Sequence, residues 1–438
     1  MPDFFTLLGP LVVVLLAATV RRRLTERWSY AIAILVSVMM VTSLGLSYHG
    51  LVHQQWRAIF LAVTNLIATT SAWDSVFWLK EHPAIVPHRY YLWWALFWAA
   101  LFGISLAQNL ALAWLSVEFS TLASGALIIE IGDRHALEAA WKYILIASVG
   151  LILGLIGIIF IYASLKSQGL GWSTLNFANL HAQSAHIAPI IRELATIFIV
   201  SGFGTKAGLV PFHTWLPDAH SEAPSPVSGL LSGVLLGLSL FTIVRFIDAV
   251  PSPAAILLSG DHLLTIFGTV SVVVGSLALL VQTDIKRLLA YSSIEQVGLI
   301  AVALGIGTKA ALSIALLQFT LHAVIKSSLF YGSGHLSGLY HTKSLAKITG
   351  LMNRRPTAGV FWALGILALA GLPPLGLAYS EWLIFLQLWH HHSYVVIVLV
   401  SFSLTLAFGA LTYHLIRNLW DDIDAASKNP QADAQEAL

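Results

Sequence analysis

Five ionisable residues lie in stretches of sequence that are otherwise apolar, and each has a side chain that can hold and pass a proton. Glu118 lies in "LALAWLSVEFSTLASGALII" and Lys206 in "SGFGTKAGLV". His322 and Lys326 lie in "LHAVIKSS" with i,i+4 spacing, which puts both on one face of a helix. Glu381 follows a Gly- and Pro-rich interruption in "GLPPLGLAYSEW". Because charges are costly in apolar surroundings, such residues default to a functional role.

The composition places these residues inside a membrane. The chain has 438 residues, of which 57% are hydrophobic and 10% charged, and its mean hydropathy is +0.80. Ordinary soluble domains are about 25% charged. Roughly thirteen stretches reach the length of about 20 apolar residues that a spanning helix needs. These runs are continuously apolar rather than alternating, so they predict helices and not the strands of a barrel.

Several kinds of site are excluded by what the chain does not contain. It has no cysteine, so it holds neither disulfides nor thiolate-bound zinc or Fe–S clusters. Its sequence has no Gly-rich phosphate loop, nucleophile elbow or metal-ligand spacing. The sequence therefore predicts no metal site and no cofactor in this chain. A net charge of +2 gives no indication of nucleic-acid binding.

The connections between the apolar stretches carry an orientation signal. Every second connection, from the first, is basic: "RRRLTER", "KEHPAIVPHR", "GDRHALEAAWK", "DIKR" and "HTKSLAKITGLMNRRP" hold fourteen Lys and Arg, against five in the opposite connections. Basic loops favour the cytoplasm. We therefore expect a multi-pass protein of the inner (cytoplasmic) membrane, with its N terminus outside and these loops inside. The first apolar stretch is expected to be a retained span, not a cleaved signal.

Two of the predicted spans are interrupted. One is broken between Gly202 and Pro211, and the other at Gly371–Gly376. The charged residues beside the breaks, Lys206 and Glu381, are about 175 residues apart, and paired interrupted helices in two halves are typical of transporters with internal repeats. The sequence thus predicts an ion path near the middle of the membrane at these breaks.

Glu118 and Lys206 are predicted to pair. A carboxylate near the middle of a span either takes up a proton or finds a cation, and Lys206 is the obvious candidate. When paired, the lysine keeps its proton; when the carboxylate is drawn away, desolvation drives that proton off. This is the chemistry that a proton pump needs. The alternative, a static ion pair that serves only fold specificity, stays open.

The other buried ionisable residues have two interpretations each. His322 and Lys326 are predicted to relay protons, because histidine titrates near neutral pH; a core histidine beside a lysine that reaches the interface is the alternative. Glu381 is expected at the exit of a water-filled path, or else as a helix cap. Glu295, in "YSSIEQ", begins a span near the interface and is an accessory candidate or a merely solvated carboxylate.

The stretch "HTWLPDAHSE" is predicted to be a loop at the inner mouth of the path. Prolines flank its histidines, and two acids lie close to them in sequence. Its four ionisable residues either guide protons at the mouth or satisfy loop backbone: His213, Asp218, His220 and Glu222.

Three stretches resemble one known family. "PFHTWLPDAHSEAPSPVSGLLSGVLL", "TDIKRLLAYSSIEQVGLIAVALGIG" and "LHAVIKSSLFYGSGHL" are similar to segments of the antiporter-like, proton-translocating subunits of respiratory complex I and group-4 membrane-bound hydrogenases. "ALEAAWKYILIASVGLILGLIG" and the "SSIEQ" form look most like the F branch of the hydrogenase-4 (formate hydrogenlyase-type) subunits. The resemblance covers roughly residues 90–390.

The resemblance implies an all-α integral membrane protein of about 13–14 transmembrane helices, with two inverted five-helix repeats and two broken helices. It implies that Glu118 and Lys206 form the family's ion pair, that Glu381 is its terminal ionisable residue, and that His322 and Lys326 lie in the eleventh span. It divides the chain into N-terminal helices (1–90), a first antiporter-like repeat (91–250), a second repeat (251–392), a C-terminal helix (393–418) and a polar cytoplasmic tail (419–438).

One position departs from the family pattern. Many members have a lysine or histidine in the eighth span, eight residues before the arginine of its "RF" end, where this sequence has Gly237 in "GVLLGLSLFTIVRF". A central relay step is then either missing or bridged by water.

The resemblance implies a non-catalytic, proton-translocating subunit of a redox-driven complex, similar to a membrane-bound hydrogenase or NADH dehydrogenase. Its partners would be other membrane and peripheral subunits, and these would carry Fe–S clusters and a nickel-iron or quinone site. Three other roles stay open: a subunit of a multi-subunit cation/proton antiporter, a subunit of an energy-coupled inorganic-carbon uptake complex, and a scaffold with a vestigial channel.

Overall fold

The structure is a computed structural model that describes residue 12 and residues 25–50, 55–167, 169–251 and 258–420. These residues form helices, with two isolated β-bridges and no strand among them. Eight of the described helices are long and apolar enough to cross a membrane. The prediction of an all-α integral membrane protein is therefore confirmed. The predicted first span and the predicted tail from residue 421 onward lie outside the described residues.

Three helices precede two related halves of the bundle. They are α1 (Thr25–Gly50), α2 (Gln55–Glu81) and α3 (Pro87–Leu106). The first half contains α4 (Leu110–Ile129), α5 (Arg134–Lys166), α6 (Phe177–Gln183), α7 (Pro189–Ala207), α8 (Trp215–Glu222) and α9 (Ser225–Ala249). The second half contains α10 (Gly260–Leu279), α11 (Ile285–Gly305), α12 (Lys309–Tyr340), α13 (Leu351–Arg354), α14 (Pro356–Leu369), α15 (Gly376–His390) and α16 (Tyr394–Trp420). The predicted limits at 90/91 and 418/419 fall inside α3 and α16, not between helices.

Both predicted breaks are present, between α7 and α8 and between α14 and α15, and they are built alike. Gly208 and Gly371 each take a left-handed conformation, with φ of 78° and 72°. Glycine adopts this conformation without the clash of a Cβ, and here it ends each helix in a Schellman turn. A cis proline follows each glycine, at Pro211 and Pro374. The equivalent closing bonds run from Leu209 N–H to the Gly204 carbonyl (2.9 Å) and from Leu372 N–H to the Leu367 carbonyl (3.1 Å).

The four predicted basic loops that the structure describes lie together at one end of the bundle, which we call the basic face. The other end, where α3 ends and α4 begins, is the opposite face. The alternation of loops that the sequence predicts is thus present among the described residues. The contacts that join the basic face are Arg89 with Glu130 (2.9 Å), Lys343 with Glu222 (2.9 Å), and a β-bridge between Asp284 and Ser344.

One arrangement occurs twice, once at each face. Asn109 caps the first turn of α4 at the opposite face and forms a β-bridge with Asn176. Asp284 caps the first turn of α11 at the basic face and forms a β-bridge with Ser344. Equivalent helices that start from opposite faces are what an inverted repeat requires. Because the two halves share these bonds but not a repeated sequence, the inversion is visible in the backbone and not in the residues.

Glycines bring α5 and α7 into backbone contact. A Cβ added to Gly202 would lie 2.4 Å from the backbone nitrogen of Gly154, and one added to Gly150 would lie 2.4 Å from the Thr205 side chain. No real Cβ tolerates such distances, so only glycine permits this approach. The contact places the last turn of α7, which carries Lys206, directly beside α5.

We predict that Gly202→Ala destabilises the protein and that Gly409→Ala does not. The new methyl group in Gly202→Ala has to displace the α5 backbone, and overpacking of this kind costs about 1–3 kcal/mol. Gly409, in α16, has nothing within 4 Å of a Cβ position, so it is the matched control. Thermal unfolding of both variants in detergent tests this; equal midpoints would contradict the proposed close contact.

Candidate functional site

Lys206 lies in the last turn of α7, next to the first break, and its side chain is fully buried. Its ammonium group donates to the Tyr143 hydroxyl at 2.5 Å and to Thr121 Oγ1 at 2.8 Å. The Lys206 nitrogen also lies 4.5 Å from the centre of the Tyr143 ring and 5.6 Å from that of Trp215, both within cation–π range. The contacts that hold this cation are therefore all with neutral groups.

Glu118 lies on α4, one helical turn before Thr121, and accepts a hydrogen bond from Ser148 Oγ at 2.7 Å. The predicted pair does not form a direct ion pair. Both residues are described by the structure, and neither carboxylate oxygen of Glu118 lies within 4.0 Å of the Lys206 nitrogen. The physical reason is that the hydroxyls of Thr121 and Tyr143 take the hydrogen bonds of the ammonium group. Thr121, which accepts from Lys206, lies one turn after Glu118 on α4, so the carboxylate and the ammonium group lie on neighbouring turns of the site without touching.

The hydroxyl groups around Lys206 were not predicted from the sequence, although part of the signal was there. Thr121 follows Glu118 at position i+3 and Ser124 follows Thr121 at i+3, so each polar side chain lies beside the previous one along α4. Tyr143 reaches this face from α5, with its hydroxyl 2.7 Å from Ser124 Oγ. A row of polar residues on an apolar helix was readable in the sequence, whereas the approach of α5 was not.

Lys326 forms a second buried centre, on α12 in the other half of the bundle. Its side chain is fully buried. Its ammonium group donates to the Leu289 carbonyl at 2.5 Å and to Ser292 Oγ, and both acceptors belong to α11. His322, one turn earlier on α12, is 1% exposed. Neither of its ring nitrogens has a hydrogen-bond partner among the described residues.

Glu295 lies in the middle of α11, and its predicted place at the start of a span is wrong. The helix begins at Ile285 because Asp284 caps it, so the basic residues that follow belong to its first turn. Glu295 is 1% exposed, and its Oε1 accepts from Ser276 Oγ at 3.3 Å. It lies one turn beyond Ser292, the residue that holds Lys326. The second half thus has its own buried carboxyl group near its lysine.

Glu381 lies just after the second break, where the sequence predicts it. It accepts from Gln296 Nε2 at 3.2 Å, and Gln296 Oε1 in turn accepts from Gln318 Nε2 at 2.6 Å. The Ser380 hydroxyl donates to the amide oxygen of Gln318, Oε1. A Cβ on Gly371 would lie 2.5 Å from a carboxylate oxygen of Glu381. This carboxyl group therefore packs onto the broken backbone and belongs to an amide network that links α11, α12 and α15.

The four residues of the predicted inner mouth do not form one group, because Trp215–Glu222 is the helix α8 and not a loop. His213 lies in the break between α7 and α8 and is half-buried. His220 is fully buried, and its ring stacks on Phe330 at 4.7 Å. Asp218 and Glu222 lie at the basic face in ion pairs: Asp218 with Arg287 and Lys142, and Glu222 with Lys343.

The space beside Gly237 is taken by an aromatic ring. A Cβ on Gly237 would lie 2.2 Å from Cε2 of Phe319. The Phe319 ring lies 4.6 Å from Phe60, which lies 4.3 Å from Phe241. Where many family members have a basic residue, this chain has a cluster of apolar rings. The sequence left two alternatives, a missing relay step and a step bridged by water. The apolar packing fits a missing step.

The comparisons with known proteins agree with this architecture. The family profile described as "NADH:quinone oxidoreductase/Mrp antiporter, TM" matches residues 107–407. A curated relative, the "Hydrogenase-4 component F homolog" of Methylacidiphilum infernorum (isolate V4), is 36% identical over 367 residues, covering 82% of this chain and 76% of the relative. "Hydrogenase-4 component B" of Escherichia coli (strain K12) is 29% identical over 336 residues, covering 74% of this chain and 49% of the relative.

A solved structure has the same fold. A chain of the membrane-bound sulfane sulfur reductase, an archaeal respiratory membrane complex, superposes with a TM-score of 0.84 at 22% identity, covering 96% of this chain and 87% of that chain. The fold and the buried centres define an antiporter-like membrane subunit. The chain belongs to the family of transmembrane subunits shared by NADH:quinone oxidoreductases and Mrp antiporters. The predicted resemblance to the F branch of the hydrogenase-4 subunits is confirmed.

We predict that Tyr143→Phe destabilises the protein by removing one acceptor of the buried ammonium group. Hydrogen bonds to charged groups contribute about 1.5–3 kcal/mol, and the ring that packs against Lys206 is kept. The control is Tyr379→Phe, since the Tyr379 side chain is largely exposed. Thermal unfolding of the two variants is the measurement, and a Tyr143→Phe protein as stable as the control would show that the hydroxyl does not hold the cation.

We predict that Gly237→Ala is also destabilising, because its methyl group collides with the Phe319 ring. Overpacking costs about 1–3 kcal/mol. A second change, Phe319→Leu, should recover part of the loss by making room, and a double-mutant cycle on unfolding midpoints measures the coupling. Additive effects of the two changes would mean that the ring does not occupy this space.

Proposed function

We propose that the chain is the proton-translocating, non-catalytic membrane subunit of a redox-driven complex of the membrane-bound hydrogenase or NADH dehydrogenase type. The observation that carries the proposal is the fully buried Lys206, whose ammonium group is held by hydroxyl groups and makes no direct contact with the Glu118 carboxylate. A buried ammonium with a direct ion pair would be fixed in its charged form. An ammonium held by neutral groups can lose its proton when the distant charge changes.

The first half would work as a charge switch. While Glu118 is ionised, its negative charge would favour the ammonium form of Lys206, as any nearby opposite charge does. When Glu118 is neutralised or turned away by a neighbouring subunit, desolvation favours the neutral amine, and the proton leaves. Glu118 suits this role because its Oε2 is buried without a hydrogen-bond partner among the described residues, so its ionised form is only weakly supported. The Ser148 hydroxyl, which donates to Glu118, keeps the carboxylate in place between successive proton transfers.

The second half would carry the proton towards the opposite side. Lys326, His322 and Glu295 gather buried ionisable groups around α11 and α12, and Glu381 extends them to the second break. With apolar rings at Gly237, the two halves would communicate through electrostatics and helix movement more than by direct proton transfer. This is an expected consequence of the missing basic residue.

The rest of the complex would supply the redox chemistry. Electron transfer requires cofactors, and we expect Fe–S clusters with a nickel-iron or quinone site in partner subunits. Relatives of this chain are named as components of hydrogenase-4 or as subunits of NADH-quinone oxidoreductase, which supports partners in and on the membrane. The positive-inside rule supports a cytoplasmic location for the basic face. An Mrp-type antiporter subunit is the alternative outcome of the test below.

We predict that Lys206→Ala and Glu118→Gln each lower redox-driven proton uptake by about a hundredfold, the lower limit of what a positioned acid or base contributes. The measurement uses the assembled complex in sealed vesicles, with electron transfer recorded in parallel. Lys166→Ala, at the exposed end of α5, is the control and should pump normally. Normal pumping by both test variants at normal assembly would refute the proposed role. Proton movement that depends on a sodium gradient and not on electron transfer would favour the antiporter.

A further inference from the structure

Two helices of the first half match two helices of the second half residue by residue. The caps of α4 and α11 are Asn109 and Asp284, and each side chain accepts from the backbone N–H groups two and three residues ahead. The caps of α5 and α12 are Asp133 and Thr308, and each accepts from the N–H three residues ahead. Both pairs of caps are 175 residues apart, so one offset relates α4 and α5 to α11 and α12.

This offset puts the polar groups of the two halves at the same two positions. Residues 121 and 143 correspond to residues 296 and 318. In the first half these positions are Thr121 and Tyr143, whose hydroxyls accept from the buried ammonium group. In the second half they are Gln296, which donates to Glu381, and Gln318, which donates to Gln296. Each half therefore supports an ionisable group beside its broken helix from equivalent positions, with hydroxyls in one half and amides in the other.

The hydrogen bonds that end at Glu381 all run in one direction. Ser380 Oγ donates to Gln318 Oε1, and Gln318 Nε2 donates to Gln296 Oε1 at 2.6 Å. Gln296 Nε2 donates in turn to Glu381 Oε1 at 3.2 Å. An ionised carboxylate only accepts hydrogen bonds, so this direction suits the charged form of Glu381. The side chains of Gln296, Gln318 and Ser380 are buried.

The same groups can form the chain in the opposite direction, because an amide and a hydroxyl each donate and accept. A protonated Glu381 can donate to Gln296 Oε1 once that amide has turned by half a rotation. Gln296 Nε2 then donates to Gln318 Oε1, and Gln318 Nε2 donates to Ser380 Oγ. The Ser380 hydroxyl already has a second acceptor in reach, the Leu377 carbonyl at 3.1 Å. Every link of the chain is thus kept in both directions.

We propose that Gln296, Gln318 and Ser380 are positioning residues that reverse their hydrogen bonds each time Glu381 gains or loses a proton. One O–H bond forms or breaks at Glu381, and along the rest of the chain only hydrogen bonds exchange. Leaving a buried donor or acceptor unpaired is costly. A chain that stays paired in both states therefore keeps the two forms of Glu381 close in free energy, which a group that takes up and releases protons requires.

The proposal rests on the proposed function and applies one rule to both halves. The hydroxyls of Thr121 and Tyr143 accept from the ammonium form of Lys206, and a hydroxyl can also donate to a neutral amine. Thr121 Oγ1 has a second acceptor in reach, the Val117 carbonyl at 3.2 Å, as Ser380 has the Leu377 carbonyl. Groups that both donate and accept thus stand beside the titrating residue in each half.

Other titratable groups lie on the helices that contact Glu381 or its helix, α15. Within the part of the chain that the structure describes, α14 carries no charged side chain. The nearby groups on the other helices are Glu295 on α11, His322 and Lys326 on α12, and His414 and Arg417 on α16. These groups influence the pH at which Glu381 changes its protonation, whereas the chain decides what the amides do when it changes. The carboxyl and amide signals are therefore to be compared with each other and not with a fixed pH.

Infrared difference spectra between pairs of pH values test the reversal without requiring proton pumping. They are recorded on the assembled complex with glutamine labelled with ¹³C at the side-chain amide carbon. A carboxyl band that is lost in Glu381→Gln belongs to Glu381. We predict that glutamine amide bands change together with this carboxyl band, and that Gln296→Leu abolishes the amide change.

The matched control is Gln282→Leu. Gln282 Nε2 donates to the Ala278 carbonyl at 2.8 Å, outside the chain, so its removal should leave the coupled carboxyl and amide changes as they are in the native protein. A Glu381 carboxyl band that appears and disappears with no change in the amide bands would overturn the proposal. The absence of any carboxyl band that depends on Glu381 would overturn it as well.

The initial rate of redox-driven proton uptake in sealed vesicles gives a second test. Gln296→Leu and Gln318→Leu should each lower this rate by about ten- to a hundredfold, the factor that corresponds to one hydrogen bond to a charged group. Because one gap interrupts the whole chain, the double variant should be no slower than the slower single variant. Normal pumping by both single variants, or multiplied losses in the double variant, would contradict a single chain. Gln282→Leu should pump normally.

Glu118→Gln separates this proposal from the one on which it rests. If Glu118→Gln stops uptake while Gln296→Leu and Gln318→Leu pump normally, the reversible chain is wrong and the proposed function stands. If Glu118→Gln and Lys206→Ala both pump normally, the proposed function fails, and the infrared measurement decides whether the chain reverses.

Discussion

The structure of the first half depends on one constraint: it has to hold Lys206 in the interior of a membrane protein without a direct counter-ion. The cost of burying Lys206 is offset by two hydroxyl acceptors and the faces of two aromatic rings. Each of these groups needs its own support. The break after α7 turns α8 so that Trp215 meets the lysine, and the glycine contact between α5 and α7 brings Tyr143 within reach. The fold thus stabilises the ammonium group of Lys206 without a direct counter-ion that would hold it permanently in its charged form.

The two halves share a backbone plan but differ in chemistry. Both have a helix broken at a left-handed glycine, followed by a cis proline, and both have a capped helix bridged to a loop. In the first half the lysine precedes the break, on α7. In the second half the lysine lies on α12, and a glutamate, Glu381, follows the break. The inverted scaffold therefore fixes where buried charges can be held, and the side chains decide which charge each position carries.

The sequence predicted much of this from a few physical signals. The two breaks, the alternation of basic loops and the isolated ionisable residues were all readable because glycine, proline and charge have strong and local effects in lipid. A direct ion pair between Lys206 and Glu118 is not formed, because the hydroxyls of Thr121, on the same helix as Glu118, and of Tyr143, on α5, take the hydrogen bonds of the ammonium group. Sequence spacing does not show which helices approach one another. Glu295 was placed too near the interface because the basic residues before it looked like a loop, although Asp284 caps the helix ahead of them. The aromatic filling at Gly237 depends on the distant Phe319 and could not have been predicted.

The central claim is that Glu118 controls the proton on Lys206 without touching it. Redox-induced infrared difference spectroscopy of the assembled complex tests this most directly, because it reports changes in the protonation and environment of individual carboxyl groups. The account predicts a carboxyl signal that is lost in Glu118→Gln and is also altered in Lys206→Ala, since each group responds to the charge of the other. A carboxyl signal that is lost in Glu118→Gln but identical in the native protein and in Lys206→Ala would contradict it.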